Sequence, residues 1–121
     1  MKLLTIWFVL IAMAALPAAE VLDTSSMEVK AKDLFQAGKY KEAIPQFSSL
    51  ITNQPTNANA YALRGYCYSE IGKQDLAIKD YSEAIRLDRT DKRALNSRAV
   101  TYFMTDQIDK AMRKRGQQYP L

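Results

Sequence analysis

The sequence predicts an all-α protein, an α-solenoid of about two and a half to three helix-turn-helix hairpins. The chain repeats itself with a period of 34 residues between about residues 24 and 115. Within each repeat, apolar residues recur at spacings of three and four, which is the period of an amphipathic helix. A composition of 48% hydrophobic and 25% charged residues is typical of a folded globular domain. We therefore expect one domain of stacked helical pairs.

The repeat is visible as columns of residues that are 34 positions apart. Small residues share two columns, which are Ala31, Gly65 and Ala99, and Ala43, Ala77 and Ala111. Large residues share three more, which are Met27, Tyr61 and Leu95, then Leu34, Tyr68 and Tyr102, and the pair Phe47 and Tyr81. Helices that cross closely need small side chains at the crossing. The small columns thus predict tight crossings, and the large columns predict the packing between successive helices.

Residues 1–19 have the composition of a secretory signal peptide. Lys2 gives a positive start, residues 3–16 are almost entirely apolar, and Pro17 to Ala19 end the run before Glu20. Cleavage after Ala18 or Ala19 fits the onset of polar sequence better than cleavage after Ala14. We expect export to the periplasm, the secretory lumen or the medium. An uncleaved membrane anchor is the main alternative, because the run approaches the lower length limit of a transmembrane helix, and a buried core helix is the third. Residues 20–25 are interpreted as a linker.

The repeat domain is expected over residues 26–116, with units at about 24–57, 58–91 and 92–116. In the first unit, Ser25 and Glu28 form a candidate capping box, which predicts a helix over 26–37. Gly38 ends it, and a second helix follows over 41–53 until Pro55 forbids its continuation.

The second and third units are predicted by the same signals. Thr56 or Asn57 caps a helix over 58–71, Gly72 closes it, and a second helix runs over 74–87. The third unit is expected to contain helices over 92–104 and 107–115, with a turn at Asp106 in place of the glycine. Residues 117–121 are then a tail.

Composition excludes most catalytic and metal chemistry. The chain has no histidine, the usual general base near neutral pH and a common metal ligand. Its single cysteine, Cys67, has no second thiolate for a disulfide or a zinc site. Cys67 is expected to be a buried thiol. We predict no enzymatic activity, no metal and no cofactor.

Several columns resemble the tetratricopeptide repeat (TPR) signature; they are Tyr61, Gly65, Tyr68, Gly72, Ala77, Tyr81 and Ala84. The first unit matches through Ala31, Leu34, Gly38, Tyr40, Ala43, Phe47 and Pro55. The resemblance covers about residues 24–115 and departs from the family pattern at Arg89, Asp106 and Arg115, so the third unit matches least well.

The resemblance implies a protein-binding module whose concave groove is lined by the first helix of each hairpin. The partner-binding residues that it implies are Lys32, Phe35, Asn59, Tyr66, Arg93, Asn96 and Phe103. One subgroup of the family grips a C-terminal carboxylate with lysines and asparagines. Here Glu28 stands where a lysine is expected, and Lys32 and Leu63 stand where asparagines are expected, which leaves only Arg93 as a remnant of the clamp. That clamp is expected to be absent.

Two features have alternative interpretations. Phe35, Tyr66 and Phe103 are either exposed anchors for a partner or part of the packing between helices. Lys30, Arg64 and Arg98 are either a track for an anion or residues whose stems cover a neighbouring helix and pair with acids such as Asp80 or Asp109; the second is favoured.

The sequence thus predicts an exported adaptor or scaffold that binds a peptide or protein, without nucleic acid and without a membrane after signal cleavage. An RNA-binding helical array and a membrane-tethered assembly scaffold are the alternatives. We also expect homodimerisation through the C-terminal hairpin, because apolar Tyr102, Ile108 and Met112 have no capping helix over them.

Overall fold

The computed structural model describes residues 23–118, with side chains to Arg113. It contains five helices, which are α1 Thr24–Gln36, α2 Tyr40–Asn53, α3 Ala58–Glu70, α4 Gln74–Leu87 and α5 Lys92–Gln118. The described residues include no strand, which confirms the all-α class. No helix within these residues has the length and apolarity needed to cross a membrane. The predicted signal peptide lies outside the described residues.

Short polar side chains begin three of the helices. The Asp23 carboxylate accepts a hydrogen bond from the Ser26 backbone N–H at 3.2 Å and so caps α1. The predicted start at Ser26 with a Ser25 cap was therefore two residues late, and the carboxylate of Asp23 also complements the positive end of the helix dipole. Asn57 caps α3 as predicted, accepting from Ala60 N–H at 3.0 Å. Asp91 does the same for α5, at 3.2 Å from Ala94 N–H.

The two turns inside the hairpins have the same geometry. Gly38 and Gly72 have φ angles of 73° and 83°, in the left-handed region that glycine enters without steric cost. After α1, the Lys39 N–H donates to Leu34 O at 2.9 Å and Gly38 N–H to Phe35 O at 3.0 Å. These bonds satisfy carbonyls at the helix end, as in a Schellman motif. The same turn therefore closes both hairpins.

Successive helices pack against each other, so that α1/α2 and α3/α4 form antiparallel hairpins and α5 stacks on α4. The core between the two hairpins consists of Ala31, Ala43, Phe47, Leu50, Ile51, Ala60 and Cys67. Ala31, Ala43 and Ala77 are 0% exposed, which confirms that the small columns mark the crossings in the first two units, whereas Ala99 and Ala111 of the third unit are exposed. A Cβ added to Gly65 would lie 3.2 Å from Ala77 O, so these backbones are nearly in contact. The α-solenoid predicted by the sequence is confirmed.

Arg64 connects the hairpins through its guanidinium. It donates to both carboxylate oxygens of Asp80, each at 2.7 Å, and to the Ser48 hydroxyl at 3.1 Å. The hydrogen bond to Asp80 is the main cause that raises the pKa of Arg64. The ring faces of Tyr61 and Tyr68 lie 5.6 and 5.8 Å from the cation. The structural interpretation of this basic residue, pairing with Asp80, is therefore confirmed.

The predicted break at Asp106 is wrong, because α5 continues through it to Gln118. Asp106 lacks the freedom of glycine to adopt positive φ. The helix is also supported across this point, since Lys110 Nζ lies 2.7 Å from Asp106 Oδ2 and the Thr105 hydroxyl donates to Thr101 O. The array therefore has two complete hairpins followed by one long helix.

Candidate functional site

The first helices of the units, α1, α3 and α5, contribute residues to one concave side. Between them lies a cavity of about 410 Å³. It is lined by Phe35 from α1, by Asn59, Ala62, Leu63 and Tyr66 from α3, by Tyr81 from α4, and by Asp91, Arg93, Ala94, Asn96 and Ser97 from the start of α5. A cavity of this size accepts one or two amino-acid side chains of a ligand, and its walls differ in chemistry.

One wall is aromatic. The Phe35 and Tyr66 rings are 5.3 Å apart in an edge-on arrangement, and the Tyr40 ring is 5.8 Å from each of them. Such edge-to-face contacts fix the orientation of the rings and stabilise the cluster. Tyr66 remains 38% exposed. The cluster therefore both joins the first two units and leaves an open, rigid aromatic surface towards the groove.

Another part of the cavity wall is polar. It presents the amides of Asn59 and Asn96 and the guanidinium of Arg93. The Arg93 side chain is 83% exposed, and its Nε is 3.9 Å from an Asp91 oxygen. This contact is too long and too exposed to hold the guanidinium in place. Arg93 is thus the most available cation on the polar wall, next to two amides that can pair with a peptide backbone.

Two of the seven residues predicted for the site do not line this cavity. Lys32, on α1, pairs with Glu28 one turn earlier in the same helix. Phe103 lies farther along α5 and is 65% exposed. The structure thus brings together Phe35, Asn59, Tyr66, Arg93 and Asn96, and it separates Lys32 and Phe103 from them.

A second cavity of about 250 Å³ continues the groove along α5. It is lined by Tyr66, Ser69, Glu70, Tyr81, Asn96, Ser97, Val100, Thr101 and Met104. The Glu70 charge is the largest cause that raises the pKa of the Tyr66 phenol. Tyr66 therefore stays a neutral hydroxyl at physiological pH, able to donate or accept a hydrogen bond where the two cavities meet.

Sequence reasoning missed Tyr81 and Ser97 as site residues. Tyr81 was assigned to packing because it shares a column with Phe47, and it is indeed only 2% exposed. Burial raises the pKa of Tyr81 to about 12, and a hydrogen bond with Ser97 opposes the rise. The signal that could have found the pair is the added hydroxyl relative to Phe47, because a buried phenol needs a polar partner.

Comparison with known proteins gives one family. The family model described as Tetratricopeptide repeat matches residues 29–92, more than half of the chain. The Hsp70-Hsp90 organizing protein of Triticum aestivum is 30% identical over 83 residues, which are 69% of this chain and 14% of that protein. The chain therefore spans about a seventh of the length of that relative.

Solved structures show the same arrangement of helices. The second TPR of Spaghetti (RPAP3) bound to HSP90 peptide SRMEEVD superposes with a TM-score of 0.67 at 27% identity, covering 76% of this chain and 85% of that one. The Yersinia enterocolitica type III secretion translocator chaperone SycD superposes with a TM-score of 0.67 at 25% identity, covering 84% of this chain and 68% of that one.

Proposed function

The chain belongs to the tetratricopeptide repeat family, and on that premise we propose that it is an exported, non-catalytic adaptor holding a peptide or protein segment in its concave groove. The observation that supports this proposal is the cavity with an aromatic wall at Phe35 and Tyr66 and a polar wall at Asn59, Asn96 and Arg93. An extended peptide can contact both walls, because its side chains can pack on the aromatic wall and its backbone amides can hydrogen-bond to the asparagines.

The groups in and beside the groove are unsuited to nucleophilic catalysis. Burial raises the pKa of the Cys67 thiol to about 11, and Cys67 is 0% exposed. Burial likewise raises the pKa of Tyr81 to about 12. A nucleophile is activated by a lowered pKa or by an adjacent base. These two groups are shifted in the opposite direction, which supports a binding role for the groove.

The ligand that fits this groove is anchored by an apolar side chain and not by an acidic C-terminus. Leu63 places an aliphatic side chain in the cavity wall. Lys32 is already paired with Glu28. Only Arg93 is left to meet a carboxylate, and a single exposed cation contributes little. The peptide SRMEEVD, which is bound by the RPAP3 repeats, should therefore bind this chain weakly or not at all.

The test is a peptide selected from a displayed random library on the folded protein, with its affinity measured by calorimetry. Tyr66→Ala should weaken binding by about 5-fold or more, since an aromatic anchor in an interface typically contributes over 1 kcal/mol. Leu76→Ala is the matched control, because Leu76 is 41% exposed and lines neither groove cavity. Equal affinities for the wild type and Tyr66→Ala would refute the groove as the binding site, whereas tight binding of SRMEEVD would refute the apolar anchor.

We propose that residues 1–19 direct export and are removed. The support is the order of charge, apolar run and small residues in the sequence. N-terminal sequencing of the native protein should begin at about residue 19 or 20. A native protein that retains Lys2 would instead indicate the membrane-anchored form.

We further propose that the C-terminal helix mediates homodimerisation. Tyr102, Ile108 and Met112 are 52%, 50% and 66% exposed. Large apolar side chains exposed along one helix are typical of an interface. Sedimentation equilibrium at micromolar concentrations should give the mass of a dimer, and a strictly monomeric protein would contradict it.

A further inference from the structure

The first half of α5 has the packing surface of a hairpin helix, but within residues 23–118 no second helix of its own hairpin covers that surface. In the small column, Ala31 and Gly65 are buried, whereas Ala99 is exposed. Leu95, in the column of Met27 and Tyr61, is 37% exposed. In the first two units, these positions are covered by the second helix of the same hairpin. The third unit therefore has a vacant position for one helix of known register.

The second half of α5 has the packing residues of that missing helix. Ala111 stands in the column of Ala43 and Ala77, both 0% exposed, yet Ala111 itself is exposed. Ile108 stands in the column of Tyr40, and Met112 in the column of Ile44 and Ile78. The chain thus carries both halves of a third hairpin, and both halves present their packing faces to solvent.

The two halves cannot meet within one chain while α5 is continuous. Ala99 and Ala111 are twelve positions apart, which is about 18 Å along a straight helix at 1.5 Å per residue. The corresponding residues of the second unit, Gly65 and Ala77, are close enough that a Cβ on Gly65 would lie 3.2 Å from Ala77 O. The difference is the turn, since Gly72 adopts φ 83° where α5 has Asp106.

We propose that two copies of this chain exchange the second halves of α5, so that residues 107–118 of each copy cover Leu95, Ala99 and Tyr102 of the other. This inference rests on the homodimer proposed above and specifies its geometry. In a hairpin, residues 99 and 111 are neighbours and are symmetric about position 105. An antiparallel pair of α5 helices crossing at Thr105 places the same residues opposite each other between copies. A dimer with one two-fold axis therefore covers both exposed packing faces of each copy.

Charge makes the exchanged pair weaker than an internal hairpin. Arg64 is held by Asp80 within the second unit. The corresponding residues of the third unit are Arg98 and Lys114, two cations. Arg115 also replaces the aromatic column of Phe47 and Tyr81. Because salt screens repulsion between exposed like charges, the dimer is expected to tighten as the salt concentration rises.

The first test restores the missing turn in the full chain. Asp106→Gly places glycine in the column of Gly38 and Gly72, so the third hairpin closes on itself and the sedimenting mass falls from dimer to monomer. Asp106→Ala is the matched control, because alanine favours the continuous helix, and it should remain dimeric. If both variants sediment with the dimer mass of the wild type, the exchange of α5 halves is refuted but the homodimer is not. A monomeric wild type refutes both.

The second test locates the contact with a disulfide. Ala99→Cys combined with Ala111→Cys should give a covalent dimer under oxidation, while either substitution alone should not, because like positions lie far apart in an antiparallel pair. The same two cysteines in the Asp106→Gly background should instead link within one chain. An intrachain disulfide in the Asp106-containing protein, or no disulfide at all, overturns the exchange. If residues 1–22 covered this face instead of a second copy, the crosslink would also be absent.

Discussion

Small residues at the helix crossings set the distance between the backbones. Ala43 and Ala77 are 0% exposed. A Cβ added at Gly65 would lie 3.1 Å from the Tyr81 ring. A contact of that length requires the ring to move. The small columns are therefore a steric requirement of the fold and not a consequence of composition.

Ala77→Leu should lower the free energy of unfolding by about 1 to 3 kcal/mol, because the added atoms overpack the crossing of α3 and α4. Chemical denaturation measures the change. Ala37→Leu is the control, since Ala37 is exposed at the end of α1, and it should change stability by less than about 0.5 kcal/mol. Equal effects at the two positions would contradict the predicted packing.

Burial of Cys67 makes stability depend on alkaline pH. The pKa of this thiol is raised from 9.0 to about 11 by desolvation. The native state thus disfavours the thiolate more than the unfolded state does. The contribution of the neutral thiol is complete below pH 9 and is lost as pH rises towards 11.

The free energy of unfolding should therefore fall by about 2 kcal/mol over this interval. Cys67→Ala should show a shallower fall between pH 9 and 10, because the titration of Tyr81 is common to both proteins and cancels in the comparison. Parallel curves for the two proteins would exclude the thiol as the cause. Urea denaturation followed at intervals of half a pH unit supplies the data.

At the level of helices and turns, Gly72 is needed for its backbone conformation alone. A Cβ at this position would meet nothing within 4 Å, but its φ is 83°. Gly72→Ala should therefore cost about 1 to 2 kcal/mol of stability, the penalty for a side chain in the left-handed region. Gly72→Asn should cost less, because asparagine enters that region more readily. Thermal unfolding that ranks asparagine below alanine would contradict this explanation.

The helices that end at a glycine or a proline could be predicted from the sequence, because Gly38, Gly72 and Pro55 each impose a backbone conformation locally. The end of α4 has no such signal, and its prediction at residue 87 came from the repeat period alone. There the Asp88 carboxylate accepts bonds from the Thr90 N–H and hydroxyl at 3.0 and 2.7 Å, which also lower the pKa of Asp88. This turn replaces the proline that the family pattern expects at Arg89.

The continuous α5 could not be predicted from the repeat alone. Ala111 keeps the 34-residue period, which suggested a hairpin, but the periodicity of packing residues does not determine whether the connection bends. At this connection, the local backbone of Asp106 and its ion pair with Lys110 favour the continuous helix. The 34-residue period of packing residues and the residue type at the turn are separate signals, and in the third unit they predict different connections.

At the level of the whole molecule, the groove follows from the stacking of hairpins. Residues 34 positions apart face the same side of the stack, so the sequence columns predicted both Asn59 and Arg93 as groove residues. Lys32 and Phe103 did not join the cavity, because Lys32 pairs with Glu28 on its own helix and Phe103 lies on an exposed face of α5 that lines neither groove cavity. The sequence therefore predicts which face is the groove more reliably than it predicts which side chains reach it.

The concave face is the surface proposed to bind polypeptide. Amide chemical shifts of the isotope-labelled protein, recorded while a library-selected peptide is added, test this directly. We expect the changes to cluster at Phe35, Asn59, Leu63, Tyr66 and Asn96, which line the cavity. Changes confined to the outer helices α2 and α4, around residues such as Leu76, would contradict it.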